Sequence, residues 1–236
     1  KGNTMRNDYQ LTAEGTSVDP ATVGAALDFS AITVNGAAVD SNVTKIEFKN
    51  VTELPDYDIM PSDDDEWRAV LTNPAGEYTD ILYAREVGEG EANQVLACLR
   101  GDASNGYTIT VYGIGGVSAP ADSMGLFYDH GNRWSRLTEI DLSNFDTSNT
   151  WNMQNFFMGC ESLATLDLTK MDTSSAENMM NLLYGCSALT SVDFSSFDTS
   201  KVLNMQGMLR GCSSLTTIDA TPLETDNVQY LSLIHI

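Results

Sequence analysis

A tandem repeat with a period of 26 residues dominates the second half of the chain. Full copies begin at Leu137, Leu163 and Leu189, and a partial fourth copy begins at Leu215. Each full copy carries an aspartate near its start, an Asn-Met pair in its middle and a Gly-Cys pair near its end. A unit this short is unable to bury its own apolar face, so the copies must stack on one another to be stable. The repeat therefore restricts residues 137–230 to a stacked architecture.

Each unit opens with the spacing L-x-x-L-x-L, which turns Leu137, Ile140 and Leu142 to one side of an extended segment. This alternation predicts one short strand per unit, with successive strands paired in a parallel sheet. The intervening side chains would then be exposed, and we call them the acidic edge. We predict that a partner binds through this surface or through the loops beside it. Its members are Glu139, Asp141, Ser143, Thr165, Asp167, Thr169, Ser191, Asp193, Ser195, Thr217 and Asp219.

The middle of each unit has the signals of a short helix. An Asp-Thr-Ser segment is typical of a helix start, because its side chains accept hydrogen bonds from free backbone amides. Met153, Phe156 and Phe157 then follow the i, i+3, i+4 spacing of one helix face. Gly159 and its equivalents, Gly185 and Gly211, are predicted to end the helix in the left-handed conformation.

The repeat pattern L-x-x-[LIV]-D-[LF]-S-x-F-D-T-S-x-V-x-N-M-x-x-M-[FL]-x-G-C-S-S resembles that of the BspA-like leucine-rich-repeat surface proteins of bacteria. The resemblance implies an α/β fold, a right-handed leucine-rich-repeat solenoid with one short parallel strand and one short helix per repeat. It also implies export, attachment to the cell surface and adhesion to host proteins or to other cells. Trp151 departs from the other copies, which have Glu177 and Leu203 there, and Pro222 enters the fourth unit.

The region before the repeats requires a separate interpretation. Residues 1–27 are predicted to be a flexible lead-in, and residues 28–113 a small β-rich domain that caps the solenoid by adding its last strand to the sheet. Residues 44–48 alternate as a half-buried strand, and Asn105-Gly106 is typical of a hairpin turn. Residues 114–136 are interpreted as a degenerate repeat that forms the junction.

Residues 231–236 resemble the translation of a transposase mosaic-end adapter used in sequencing libraries, and we interpret them as an artefact. The alternative is a short apolar strand. We expect further sequence at both ends of the chain, which opens with Lys1. A chain cut within its fourth unit would expose a raw edge, so we expect it to be less stable or more prone to aggregation than one with its natural cap.

The charge balance argues against two classes of partner. The chain has 12 Lys and Arg against 33 Asp and Glu, a formal net charge of -21. A field of this sign repels phosphate backbones and anionic membranes, so we expect no nucleic-acid partner. The sequence has no apolar run long enough to span a bilayer, and we expect membrane association only through an anchor outside it.

Two rows of repeated residues could carry site chemistry. Cys160, Cys186 and Cys212 share one repeat position and are predicted to be buried free thiols, with a disulfide between neighbours or metal ligation as alternatives. Like charges at Asp141, Asp167, Asp193 and Asp219 would repel across the sheet. Calcium could relieve this repulsion, but we favour relief by flanking hydroxyls and solvent.

Two further rows are predicted to be structural. Asp146, Asp172 and Asp198 occupy the expected capping position. Asn152, Asn178 and Asn204 are predicted to bond backbone groups of neighbouring units.

A separate tripeptide, Arg100, Gly101 and Asp102, spells an integrin-recognition motif at the entry to the predicted hairpin loop. The alternative is an ordinary turn, because glycine and aspartate are also turn residues.

The sequence does not indicate an enzyme. His130 is the single histidine before residue 231, and no nucleophile or base is marked around it. We therefore expect no cofactor and predict an extracellular, non-enzymatic surface module that binds host or bacterial proteins. The alternatives are a structural spacer that presents another domain, or a carbohydrate-binding accessory for which Trp134 and Trp151 are the exposed aromatic residues.

Overall fold

The computed structural model describes residues 33–34, 37–38, 42–52, 58–60, 68–70, 81–86, 95–102, 104–114, 116–129 and 134–232. The predicted lead-in at residues 1–27, His130 and residues 233–236 lie outside these ranges.

Fifteen short strands make up the regular structure of the described residues. Those before the repeats are β1 (Thr33–Val34), β2 (Ala37–Ala38), β3 (Val43–Val51), β4 (Asp58–Met60), β5 (Arg68–Val70), β6 (Ile81–Glu86), β7 (Val95–Asp102), β8 (Gly106–Ile114) and β9 (Val117–Ser118). Those within the repeats are β10 (Glu139–Asp141), β11 (Phe145–Asp146), β12 (Ser191–Asp193), β13 (Asn204–Gln206), β14 (Thr217–Asp219) and β15 (Tyr230–Ser232). A turn of 3-10 helix covers Leu168–Lys170.

The largest sheet has five strands in the order β10-β3-β8-β7-β6. β7 and β8 form the antiparallel hairpin predicted around Asn105-Gly106, and β3 contains the predicted strand at residues 44–48. β3 and β8 run parallel with Ile46 opposite Ile109. Both of these side chains are fully buried, as is Phe48, so one face of β3 and β8 lies in the core.

The first repeat unit joins this sheet directly. β10 pairs parallel with β3, with Glu139 opposite Lys45, and Lys45 Nζ lies 2.7 Å from Glu139 Oε1. Phe145 of the same unit stacks on Phe48 at a centroid distance of 4.2 Å. From the sequence, the last strand of residues 28–113 was expected to pair with the repeats. That expectation was wrong, because β3 and not β8 pairs with β10. β8 already has β3 and β7 on its two sides, whereas β3 has a side open to β10.

The predicted fold class, a right-handed α/β leucine-rich-repeat solenoid, is contradicted by the structure. The described residues contain no α-helix, and the repeat strands belong to one edge of the large sheet and to small two-stranded sheets. The opening segment is a strand in the first, third and fourth units, whereas residues 165–167 of the second unit form no strand and are followed by the 3-10 turn at Leu168–Lys170. The predicted continuous parallel sheet is therefore absent from the described repeats.

The segment predicted to be a helix forms consecutive tight turns. Phe156 N donates to Met153 O at 3.3 Å and Met158 N to Asn155 O at 3.1 Å, so each bond joins residues three positions apart, as in a tight turn. Asn155 and Gly159 have φ angles of 58° and 82°, outside the right-handed helical region. Two turns in succession thus bury the same i, i+3 and i+4 positions that a helix would bury.

Successive units stack through a ladder of backbone hydrogen bonds at these turns. The amides of Met153, Asn155 and Phe157 donate to the carbonyls of Asn178, Met180 and Leu182 at 2.8, 2.8 and 2.9 Å. The second unit repeats the pattern toward the third, with Met179 N bonded to Asn204 O at 2.8 Å. Each unit thereby supplies acceptors for the amides of the unit before it.

Apolar side chains inside the stack are buried except in the fourth unit. Ile140 and Val192 are each 4% exposed, whereas Ile218 at the equivalent position is 38% exposed. Leu215, Leu223 and Val228 are likewise only partly buried against the core. The fourth unit thus covers the third, while its own outer apolar side chains meet solvent.

Candidate functional site

The acidic edge lies on the surface, as a binding surface requires. Its eleven side chains are exposed apart from Asp141 and Thr169, which are half-buried. Their apolar neighbours Leu142 and Val192 are buried, whereas Ile218 in the fourth unit is exposed. The edge therefore presents hydroxyl and carboxylate groups from all four units.

The aspartates of this edge are held by their own backbone. Asp193 Oδ1 accepts a hydrogen bond from Ser195 N at 2.8 Å, and Asp141 accepts one from Ser143 N at 3.0 Å. Asp219 accepts from both the amide and the hydroxyl of Thr221, at 3.1 and 2.6 Å. Side-chain and backbone hydrogen bonds from the residue two positions later lower the pKa of Asp141, Asp193 and Asp219.

These local hydrogen bonds bear on the calcium alternative. Asp167 Oδ1 also accepts from Thr169, through the amide at 3.1 Å and the hydroxyl at 2.5 Å. Among the described residues, no group of three or more histidine, cysteine, aspartate or glutamate side chains could hold a metal ion. The hydroxyl and amide partners are those of the favoured alternative, in which flanking groups relieve the charge.

The second acidic row makes turns in place of helix caps. Asp146, Asp172 and Asp198 each accept a hydrogen bond from the amide two residues later, at 2.9, 2.9 and 3.0 Å. The predicted hydrogen bonds from backbone amides to these carboxylates are therefore present, but the segments that follow are turns.

The threonine after each of these aspartates was missed by the sequence analysis. Thr173 Oγ1 donates to Asp198 O at 3.1 Å and accepts from Asp198 N at 2.9 Å, so one hydroxyl clamps the second unit to the third. Thr147 and Thr199 make the same pair of bonds to the units after them, and all three threonines are 1% exposed. The available signal was a threonine, not a serine, at this position in all three full copies.

The side chains of the asparagine row bond mainly within their own turns, whereas bonds to backbone groups of neighbouring units were predicted. Asn178 Oδ1 accepts from Met180 N at 3.1 Å, while its Nδ2 donates to the Gln154 side chain of the preceding unit at 3.1 Å. Asn152 and Asn204 hold their turns in the same way. The contact between units that was expected from these side chains comes mainly from the backbone ladder.

The cysteine row consists of free thiols. The thiols of Cys160, Cys186 and Cys212 each donate to a carbonyl of the preceding unit at 3.2 Å. Burial raises the pKa of all three, in Cys212 to about 11. Because the thiolate is the reactive form, these groups are chemically quiet in the folded protein.

The glycine row adopts the predicted left-handed conformation, but these glycines follow turns and not helices. Gly159, Gly185 and Gly211 have φ angles of 82°, 77° and 80°. A Cβ atom on Gly211 would lie 3.3 Å from Gly185 Cα, so the glycine backbones of neighbouring units also approach closely.

The integrin-type tripeptide lies in a strand. Arg100, Gly101 and Asp102 form the end of β7, and Asp102 pairs with Gly106 of β8. The Arg100 guanidinium donates to Tyr112 Oη at 2.6 Å. Gly101 has a φ of 117°, and a Cβ there would collide with the Gly106 backbone, which explains the glycine structurally.

A second set of exposed or partly exposed side chains lies along the stacked turns, and we call it the turn face. The residues used to define it are Met124, Trp151, Glu177, Tyr184, Leu203 and Arg210. Trp151 and Leu203 are 43% and 41% exposed, and Met124 is 36% exposed. Trp134, the other aromatic proposed for carbohydrate, is 1% exposed and belongs to the core. The sequence analysis singled out Trp151 but missed the surface around it.

The fold and surfaces define a repeat protein without α-helices in its described residues, with a hydroxyl- and carboxylate-rich edge and a more apolar turn face. Residues 125–234 match the model of a family described as "Mycoplasma protein of unknown function, DUF285". The comparisons with curated proteins and with solved structures found no match. No helix among the described residues is long and apolar enough to cross a membrane.

Proposed function

We propose that this chain is a non-enzymatic recognition module of a bacterial cell surface, related to the BspA-like surface proteins, that binds extracellular host or bacterial proteins. The observation that carries this proposal is the acidic edge. Four units present hydroxyl and carboxylate groups at equivalent exposed positions, and local hydrogen bonds fix the aspartates. A surface whose groups are already ordered loses little conformational entropy when a partner binds.

The family match is compatible with the proposal and does not carry it, because the description of that family names no function. The resemblance in the D-T-S, N-M and G-C elements supports the surface location and the relationship to BspA-like proteins. The charge of -21 supports partners that are neutral or basic over nucleic acids and anionic membranes.

The test is a binding measurement on a defined panel of immobilised extracellular matrix proteins. We expect at least one panel protein to bind the folded chain with a saturable signal. The double variant Asp167→Asn/Asp193→Asn keeps the side-chain acceptors of both turns but removes two charges from the acidic edge. We expect it to bind about fivefold more weakly, because exposed ion pairs contribute up to about 1 kcal/mol each.

The matched control is Glu224→Gln/Asp226→Asn, which removes the same number of charges from exposed positions outside the acidic edge. It should bind as the unmodified chain does. Saturable binding that is unaffected by the edge variant would reject the assignment to this edge. Absence of binding to every panel protein would reject recognition as the function of the described region.

A structural spacer is the second proposal, and a specific observation favours it. The backbone ladder links each unit to the next through repeated bonds of 2.7–2.9 Å, as at Gly159 N to Tyr184 O and Leu183 N to Met208 O. The acidic edge also lacks the tryptophan, tyrosine and arginine side chains that dominate binding energy at protein interfaces. A spacer would remain folded and extended while binding none of the panel proteins.

A further inference from the structure

The turn face differs in chemistry from the rest of the surface. The chain as a whole carries a formal net charge of -21, but Glu177 is the single carboxylate among the six residues that define this face. Exposed tryptophan, methionine and leucine side chains occupy positions where solvent alone would favour polar residues. The charges of Glu177 and Arg210 cancel, and a surface without net charge that is rich in tryptophan, tyrosine, methionine and arginine has the composition of a protein interface.

Glu177 lies between the two most exposed apolar groups of this face. Trp151, Glu177 and Leu203 occupy the same position in three successive units, and their backbones are joined directly. Glu177 N donates to Trp151 O at 2.8 Å, and Leu203 N donates to Glu177 O at 2.8 Å. Backbones stacked in this way are separated by about 4.8 Å, so the three side chains form one short row.

The carboxylate of Glu177 is open to a cationic partner. Its residue is exposed, and no basic side chain among the described residues pairs with it. The other charged residue of the face, Arg210, lies over the Tyr184 ring, with its guanidinium carbon 5.6 Å from the ring centroid. Binding at this row would thus pair a cation with Glu177 and cover an apolar side chain on each side of it.

We propose that the turn face binds a segment of a protein partner in which a lysine or arginine lies between apolar side chains. This inference rests on the proposed function and adds the turn face to the acidic edge as a second contact surface. A carbohydrate fits less well, since only Trp151 and Tyr184 of the six side chains offer a flat aromatic surface for a sugar ring. In addition, the side-chain oxygens of Gln154 and Asn155 already accept hydrogen bonds from Asn178 and Asn181. The backbone amides of Glu177 and Leu203 are also engaged, so the partner is recognised through side chains.

The experiment is selection of a displayed library of random 12-residue peptides on the full folded chain. We expect the enriched peptides to contain lysine or arginine flanked by leucine, isoleucine, phenylalanine or tryptophan. Trp151→Ala should weaken binding of individual selected peptides at least about tenfold, the typical effect of removing a buried aromatic anchor. Asp226→Asn, which removes an exposed carboxylate that belongs to neither surface, is the matched control and should change their affinity less than about twofold.

A charge reversal separates recognition from a structural effect. Glu177→Lys should abolish binding of a selected peptide, and exchanging the basic residue of that peptide for glutamate should restore it. If Glu177→Lys had merely altered the fold, a change in the peptide would not restore binding. Thermal unfolding of Glu177→Lys and Trp151→Ala should be the same as that of the unmodified chain, which checks the fold directly.

The inference is overturned if no peptide is enriched, if the enriched peptides lack the basic and apolar pattern, or if they bind Trp151→Ala undiminished. Enrichment of neutral glycans in a parallel binding array, lost in Trp151→Ala, would overturn it in favour of a carbohydrate site. The matrix-protein panel is scored separately, so binding there with no dependence on Trp151 would leave the proposed function standing and reject only the turn face.

Discussion

At the scale of single residues, the repeat is held together by side chains that satisfy backbone groups. Each aspartate of the acidic edge accepts a hydrogen bond from the amide two residues later, as Asp193 does from Ser195. Each threonine of the Asp-Thr-Ser segment bonds the amide and the carbonyl of one residue in the next unit, as Thr173 does with Asp198. Polar residues of this kind are abundant in loops of any protein, so their roles follow from position in the unit and not from residue type. Two predictions test these roles, one for an aspartate within its own unit and one for a threonine between units.

The first prediction concerns the carboxyl group of Asp193. Hydrogen bonds from Ser195 lower its pKa below the ordinary value of 3.8, and Ser195→Ala should raise the pKa back toward that value. Because the pKa is lowered in the folded state, this carboxylate stabilises the fold above the unfolded pKa, and that contribution disappears as pH falls through the folded pKa. Carbon-detected NMR titration measures the shift directly. An Asp193 pKa that is the same in both proteins would contradict the hydrogen-bonding account.

The second prediction concerns the buried hydroxyl of Thr173. Thr173→Val keeps the shape but leaves the Asp198 amide and carbonyl without this partner, so the free energy of unfolding should fall by about 1–3 kcal/mol. Thr173→Ser keeps the hydroxyl and should lose only about 1 kcal/mol through the missing methyl group. The exposed Thr165→Val serves as the control and should be nearly neutral. Urea denaturation that ranks serine below valine would contradict the clamp.

At the scale of the structural element, the consecutive turns explain why the helix prediction was wrong. The apolar spacing of Met153, Phe156 and Phe157 is satisfied both by a helix and by two tight turns, so spacing alone does not distinguish them. One repeat position distinguishes the turns from a helix, because its residues all have positive φ angles. These residues are Gly125, Asn155, Asn181 and Gly207, with φ angles of 68°, 58°, 56° and 70°. Exchange of asparagine and glycine at one position indicates left-handed backbone, and this signal was present in the sequence.

The third prediction tests this row with two substitutions at Asn181. Asn181→Gly should be tolerated, because glycine occupies the same position at Gly125 and Gly207. Asn181→Ala should destabilise the protein by about 1–2 kcal/mol relative to the glycine variant, since alanine is strained in left-handed backbone. Chemical denaturation gives the comparison, and an alanine variant as stable as the glycine variant would argue for an ordinary right-handed helix in this segment.

At the scale of the whole molecule, the period predicted stacking but not the way the stack begins. A 26-residue repeat requires contact between neighbouring units, and hydrogen bonds between such units are present throughout the described repeats. The partner of the first unit depends on which strand of the preceding sheet has an open side, and that is a property of tertiary topology. Residues 44–48 predicted a strand, but nothing in them marked β3 as the strand that would receive Glu139–Asp141.

The fourth prediction uses the cysteine row to measure stability along the stack. Cys212 is half-buried and its pKa is raised to about 11 from 9.0, which lowers its thiolate fraction at pH 8 about 100-fold. Cys160 and Cys186 are fully buried, with pKa values raised chiefly by desolvation. Labelling with a thiol reagent, read by mass spectrometry, should modify Cys212 first and the other two only when the repeats open. Faster labelling of Cys160 than of Cys212 would contradict the described order of burial.

The most direct test of the account is measurement of NMR scalar couplings across backbone hydrogen bonds in the repeats. The ladder predicts couplings from the amide nitrogens of Asn155 and Phe157 to the carbonyl carbons of Met180 and Leu182, and from Met179 to Asn204. A helix at the same positions would instead couple Phe157 to Met153, four residues earlier. Couplings to the next unit would establish stacked turns as the basis of the fold and of both exposed surfaces. Couplings to the fourth preceding residue would contradict the account.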